Sequence, residues 1–343
     1  MTTHVSPADM DIDRDYAALD LEPKPFITYT LKANYRSASV CTNSLGFREQ
    51  YFGGDGPVDL RMLRSRYTDC RVMLGGSTAF GLKASSDRTT MASFLSQSGP
   101  PVVNLALIGA GTAQELAAYL ALRHLMPEVR DVVLFSGINE CVHAVWRPAA
   151  VFSQFGSTAV GATKKVAEDA ERGTKAEEWE GADAEDAVLP PDVAERRLTT
   201  VLERVVHNLQ IWRLFERATG MRVHFVLQPV LGWTAKPLTG TEKQAFESDL
   251  ASFPFVRWFA RAPVYRQVRD EIATGAAEAG IRFHDANEWL AGEYATLFGD
   301  VCHFRDDGQR LMASYLERQL DWNPEGSQSR GPATIAPHSP AQP

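Results

Sequence analysis

Short continuous apolar runs recur along the chain, at Arg71 to Leu74, Val102 to Leu105, Val132 to Phe135, Val223 to Leu227 and Ile281 to Phe283. They are continuous rather than alternating, which is the pattern of strands covered on both faces. Between them the apolar positions repeat at helical spacing, over Thr112 to Leu125, Ala194 to Ala218, Pro263 to Ala279 and Asp306 to Leu320. Thr112 and Glu115 have the spacing of a capping box and predict the start of the first of these helices. Strands alternating with helices predict one doubly wound α/β domain, a three-layer α/β/α sandwich around a mostly parallel sheet of about five strands.

Two stretches depart from that pattern. Thr163 to Pro191 is dense in Lys, Glu, Asp and Ala and reads as a solvated helix or mobile insertion. Asn323 to Pro343 is rich in Pro, Ser, Gly and Gln and, like residues 1–25, is expected to be disordered. The expected organisation is therefore a domain over 26–322 with an insertion at about 141–221, in which Trp146, Phe152, Phe155 and Trp179 offer the apolar surface of a lid.

A length of 343 residues is enough for a large core, and 44% hydrophobic with 23% charged residues fits an ordinary globular protein. The formal charge of -8 argues against a nucleic-acid partner, which calls for a basic face. No segment approaches the ~18 uninterrupted apolar residues that span a bilayer, and the polar, acidic start does not match a secretory signal. The expectation is a cytoplasmic protein with no membrane partner. Its four cysteines form no C-x-x-C pair, so neither a zinc knuckle nor a disulfide framework is expected.

In a parallel sheet, ligands bind beyond the carboxyl ends of the strands. Three stretches place reactive side chains there or in a late loop: Val72 to Gly81 (VMLGGSTAFG) with Ser77, Val132 to Glu140 (VVLFSGINE) with Asn139, and Gly299 to Gly308 (GDVCHFRDDG) with Asp300 and His303. A serine in a glycine turn is as readily a helix cap as a nucleophile. The turn is not a Walker A loop, which ends in Gly-Lys-Ser/Thr, nor a G-x-S-x-G elbow, since Ala79 stands where the last glycine would be. Asp300 lies three positions before His303, close enough to hold the ring's Nδ1 proton and leave Nε2 for a nucleophile. Of the eight histidines only His303 has Asp at that spacing, while His143 with Glu140 is the rival base. Asn139 ends a buried strand with an amide that needs a partner or a substrate oxygen. Gly109 and Gly111, beside the helix start at Thr112, are equally plausible backbone donors.

The order GGST, N-x-x-x-x-G, G-x-N-E and D-x-x-H-x-x-x-x-G resembles the SGNH (GDSL-like) hydrolases, from Arg71 to Leu320. Asn43 to Arg48 (NSLGFR) also resembles a segment that precedes the first block in many bacterial members. The resemblance implies a catalytic set of Ser77, Asp300 and His303, with an oxyanion hole from Ser77, Gly109 and Asn139. It implies a serine esterase cleaving the acyl ester, or secondarily the thioester, of a small acylated substrate through an acyl-serine intermediate, with no metal and no organic cofactor. Gly76 replaces the usual Asp before the serine, and Glu140 the usual Asp after Asn139; neither change removes a catalytic atom. Two alternatives stay open: an acyltransferase that passes the acyl group to an alcohol or amine, and a catalytically silent binder of an acylated ligand.

Overall fold

The computed structural model describes residues 7–24, 27–53, 56–97, 99–145 and 190–322. The chain enters through helix α1 (Pro7–Ala17) and an antiparallel pair, β1 (Leu21–Lys24) with β2 (Thr28–Leu31). The five apolar runs form β3 (Asp69–Gly75), β4 (Val102–Asn104), β5 (Glu128–Ser136), β6 (Arg222–Leu227) and β7 (Arg282–Asp285). These five make one parallel sheet in the order β4-β3-β5-β6-β7. Around it run α2 (Leu63–Arg66), α3 (Ser77–Phe80), α4 (Met91–Leu95), α5 (Thr112–Leu122), α6 (Ile138–Val145) and α7 (Pro191–Thr219). They are followed by α8 (Gly240–Ser252), α9 (Pro254–Phe259), α10 (Ala262–Ala279), α11 (Ala286–Trp289) and α12 (Asp306–Gln319).

The continuous apolar runs are explained by two cores. Side chains alternate across a strand, so Val72, Leu74, Val132, Leu134, Val223 and Phe225 face one layer, with Tyr119 of α5, Trp212 of α7 and Val268 of α10. Met73, Val133, Phe135 and Val226 face the other, with Met91 of α4 and Met312 and Leu316 of α12. The result is the expected α/β/α sandwich, with all five strands parallel.

Three local expectations change. Helix α5 begins after Gly111, whose N–H bonds the Gln114 side chain at 3.0 Å; Thr112 and Glu115 form no capping box because Glu115 turns inward to the Ser136 hydroxyl. Helix α7 lies within the stretch expected as an insertion, yet Leu198, Leu202 and Trp212 are fully buried in the core. It belongs to the crossover that a parallel β5–β6 pair requires. Residues 7–24, expected to be disordered, fold because α1 is tied down: the Tyr16 hydroxyl bonds the Gly81 and Ala84 carbonyls at 3.0 and 2.8 Å, and the Asp15 carboxylate accepts from the Ser39 N–H. The charged stretch up to residue 189, the lid aromatics Trp146, Phe152, Phe155 and Trp179, and the tail 323–343 lie outside the described residues.

Arg48, the last residue of the NSLGFR segment, joins this N-terminal layer to the turn after β3. It is 2% exposed and ion-paired with Asp87 at 2.7 Å, and it donates to the carbonyls of Ser39, Phe80 and Gly81. Removing one member of a buried pair leaves the other charge uncompensated, typically at a cost of ~3–5 kcal/mol. Arg48→Ala is therefore expected to lower the unfolding free energy, measured by urea denaturation, by about that amount.

Candidate active site

The crossover from β3 to β4 and then back across to β5 makes the carboxyl ends of β3 and β5 a topological switch point, where a doubly wound sheet opens a crevice. Ser77 stands at the end of β3 and Asn139 just beyond β5. The turn between them is tight enough to dictate glycine twice. Gly75 has φ +150°, and a Cβ there would overlap the Phe135 carbonyl; a Cβ on Gly76 would overlap Asn139 Nδ2. Both substitutions would push the serine turn away from β5.

Ser77 opens the single turn of α3, whose carbonyls are fixed from outside: Asn104 Nδ2 donates to Ala79 O at 2.9 Å, and Arg48 holds Phe80 and Gly81. Thr78 links two further elements, donating to the Cys302 carbonyl at 3.2 Å and accepting from Gln228 Nε2, past the end of β6, at 2.9 Å. The serine turn and the histidine loop are thus joined by backbone-directed hydrogen bonds.

His303 Nε2 lies 2.7 Å from Ser77 Oγ, and its Nδ1 lies 2.7 and 2.9 Å from Asp300 Oδ2 and Oδ1. Asp300 Oδ1 also accepts the backbone N–H groups of Cys302 and His303 at 3.0 and 2.8 Å, which curls the loop so that carboxylate and ring meet. The loop is pinned from α8 by Asp249, which accepts the Val301 N–H at 2.8 Å, and from the β6 side by Leu231, whose N–H bonds Val301 O. Ser77, Asp300 and His303 are each half-buried, in contact with both core and solvent.

Burial alone would depress the His303 imidazolium, but the Asp300 carboxylate against Nδ1 and the neighbouring Cys302 hold it well above its ordinary value. Burial would likewise raise Asp300, but the His303 charge, the hydrogen bond to His303, the Cys302 N–H and the Lys83 ammonium bring its carboxyl down to about 2. Asp249 is pushed up, by burial first and then by the Asp300 charge, against the bond from Val301.

Asn139, the second residue of α6, donates from Nδ2 to the Ala110 carbonyl at 2.6 Å. That bond fixes the amide orientation and uses one of its two hydrogens, leaving one for another acceptor. Ala110 belongs to the loop that follows β4, which is laced onto β3 by the N–H groups of Leu105 and Leu107 bonding Met73 O and Gly75 O. Gly109, at φ +74°, sits in this loop next to Ala110. The rival base His143 lies behind the same loop, its ring beside Gly111 and bonded to the Gly109 backbone. Burial drives it down to about 4, so it is neutral. Its neighbour Glu140 is engaged with the Thr112 N–H.

Asp300, Cys302 and His303, and separately Cys41, Glu49 and Asp87, bring donor atoms close enough to hold a metal. In the first group His303 Nδ1 already faces Asp300; in the second, Arg36 pairs with Glu49 and Arg48 with Asp87, both at 2.7 Å, so cations are already in place.

Sequence reasoning brought Ser77, Asp300, His303, Asn139 and the Gly109 loop to one edge, but not Thr78, Gln228 or Asp249. Thr78 and Gln228 are 150 residues apart in the chain, and Asp249 and Val301 are 52 apart. No local spacing announces such pairs.

No protein-family model and no curated protein matches the sequence. Solved structures similar to the chain include an acetyl xylan esterase, at 14% identity over 73% of this chain and 99% of that one, with a TM-score of 0.37. A member of the lipolytic G-D-S-L family from Veillonella parvula shows 12% identity over 75% and 100%, TM-score 0.39. A GDSL-like lipase from Bacteroides thetaiotaomicron shows 13% over 74% and 88%, TM-score 0.37. At such values these similarities leave the chemistry of this chain to its own side chains.

Proposed function

We propose that the chain is a serine hydrolase of the esterase type, cleaving a small acyl ester through an acyl-serine intermediate. The observation that carries this reading is the continuous line from Ser77 Oγ through the His303 ring to Asp300, with 2.7 Å at each end of the ring. Neutral His303 takes the Ser77 proton as Oγ attacks the acyl carbon, and the imidazolium returns it to the leaving alcohol. Water then adds to the acyl-serine with His303 again as base. The backbone N–H groups of Ser77 and Gly109 and the free Nδ2 hydrogen of Asn139 hold the oxyanion in both steps. Asp300 keeps the Nδ1 proton in place and balances the imidazolium charge.

Incubation with a fluorophosphonate, followed by mass spectrometry of the digest, tests the reading. A single adduct on the peptide containing Ser77, together with turnover of short acyl esters, is expected. Failure to label would favour a silent binder of acylated ligands, and acyl products formed on added alcohols or amines would favour transfer over hydrolysis.

The pH dependence follows from the His303–Asp300 pair. kcat/KM rises as free-enzyme His303 loses its proton, with a midpoint above the ordinary imidazole value of ~6.5. Asp300→Asn removes the charge and presents an amide N–H to Nδ1, favouring the wrong tautomer. The expected result is a loss of about 10⁴ in kcat, with the residual midpoint moved to lower pH. Stability shifts with it. The raised His303 value contributes stability that is full below its ordinary value and is lost as pH rises through the folded value. The lowered Asp300 value contributes stability present above the ordinary carboxyl value and lost as pH falls through about 2. Thermal melts across pH should show the variant's deficit largest between these limits.

A further inference from the structure

The hydrogen bond between Ser77 and His303 does not survive the reaction proposed for it. Once an acyl group sits on Oγ, that oxygen has no proton to share with Nε2, yet the water that follows needs the ring where it was. Another contact must then keep His303 in register. Those from Asp249 and Leu231 end on Val301, two residues short of the ring. Thr78, the neighbour of the nucleophile, takes hold at Cys302 O, the carbonyl of the peptide unit that leads into His303.

A carbonyl only accepts, so the Thr78 hydroxyl hydrogen points to Cys302 O at 3.2 Å, and the hydroxyl oxygen accepts from Gln228 Nε2 at 2.9 Å. Gln228 is fixed in turn at the carboxyl ends of the strands. Its N–H bonds Ser136 O of β5 at 3.0 Å, and its carbonyl accepts from Asn287 Nδ2 of α11 at 3.2 Å. The Asn287 amide engages both its nitrogen and its oxygen: Nδ2 also donates to Asp285 Oδ1 at 2.9 Å, and Oδ1 accepts the Val230 N–H at 3.0 Å. The Tyr265 hydroxyl of α10 closes the line on Asp285 Oδ2 at 2.5 Å. Thr78, Gln228 and Asn287 are each 1% exposed, so bulk water does not compete for these bonds, and a buried polar network paired in this way is rigid. None of these side chains has a part in the chemistry above.

We propose that Thr78, oriented by Gln228 and Asn287, is a positioning residue that holds His303 in place while Ser77 is acylated, and so serves deacylation more than acylation. The inference rests on the serine-esterase reading. In acylation the bond from Ser77 Oγ to His303 Nε2 itself aligns the two groups. In deacylation the water oxygen bonds to the acyl carbon as a water proton passes to Nε2. The bond from Oγ to that carbon then breaks, Oγ takes the proton from the imidazolium, and the acid leaves. With no proton on Oγ to guide the ring, the link from Thr78 to Cys302 O sets where Nε2 stands, and a misplacement of about 1 Å costs about 10²-fold.

The test follows, in the full chain, the acetyl adduct that p-nitrophenyl acetate leaves on the Ser77 peptide, by mass spectrometry. Thr78→Val keeps the volume and loses the hydroxyl. It should lengthen the life of the adduct about 10- to 100-fold, give a burst of p-nitrophenol before slow release, and lower kcat and KM together, with fluorophosphonate labelling changed less than about threefold. Thr78→Ser, which keeps the hydroxyl, should bring the lifetime back to within about threefold of the unsubstituted protein. Should Thr78→Val not fold, Gln228→Met, which frees the hydroxyl to turn away from Cys302 O, should show the same slow decay. Equal losses in labelling and in decay, or an unchanged decay in the folded variants, would overturn the proposal. A second measurement needs no turnover. In Ser77→Ala, which like the acyl-enzyme lacks the bond to the ring, hydrogen exchange of the segment 299–305 should stay near that of the unsubstituted protein, and adding Thr78→Val should speed it about tenfold or more. Loosening by Ser77→Ala alone, or none on adding Thr78→Val, would overturn the hold on the histidine loop. No adduct and no ester turnover in the unsubstituted protein would instead overturn the esterase reading and the role in deacylation with it, leaving the exchange result to decide whether Thr78 holds that loop.

Discussion

Ser77→Ala is expected to abolish ester turnover and fluorophosphonate labelling while the fold survives. The expected loss in kcat is about 10⁶, because a nucleophile and its base act as a unit and the residual rate belongs to the oxyanion donors and binding alone. The fold survives because Ser77 opens a short turn held by others: Asn104 on Ala79 O, Arg48 on Gly81 O and Thr78 on Cys302 O all remain. The lost hydroxyl was one hydrogen bond to His303, at a net cost of ~1 kcal/mol. Steady-state assays with p-nitrophenyl acetate, paired with a thermal melt, check both halves. Turnover above the uncatalysed rate in the variant would remove Ser77 from the mechanism.

His303→Ala is the second large effect, and it separates the two candidate bases. We expect kcat to fall by about 10⁴–10⁶, whereas His143→Ala should change it less than about tenfold. The truncated protein is expected to fold, because the Asp300 carboxylate keeps the backbone N–H groups of residues 302 and 303, and Ser77 stays half-exposed to water. The missing ring leaves space beside Oγ, so free imidazole should restore part of the activity in a concentration-dependent way. His143 has no route to such an effect: its ring is bonded to the Gly109 backbone behind the loop, and its low value keeps it neutral. The reverse ranking of the two variants would move the base to the Glu140 and His143 pair.

What could be read in advance was local. The runs around Val72, Val132 and Val223 announce buried strands because apolar residues follow one another there almost without a break, and the strands run only a few residues beyond them. Ser77, Asn139 and the Asp300–His303 spacing were visible because each is set by its own turn or loop. The misses were all long-range. Thr112 and Glu115 have the spacing of a capping box, but the Ser136 hydroxyl takes the Glu115 side chain and Glu140 takes the Thr112 N–H, leaving the cap to Gln114. The first residues looked disordered because their anchors lie 65 and 68 positions away at Gly81 and Ala84. Gln228 and Asp249 carry no motif at all, and the bonds that Thr78 makes to Cys302 and Gln228 exist only once three segments have come together.

The hydrogen bond between Ser77 and His303 joins residues 226 positions apart, and the sheet between them is parallel throughout. Such contacts close late, after the loop entropy of the intervening crossovers has been overcome, and they make folding slow. On the proposed reading, the Ser77 turn emerges during vectorial synthesis some two hundred residues before His303, so the nascent chain would have no means of attacking an ester while its core is still open. Regain of activity after dilution from denaturant should accordingly lag the recovery of helical signal, and follow the docking of the segment from β7 to α12.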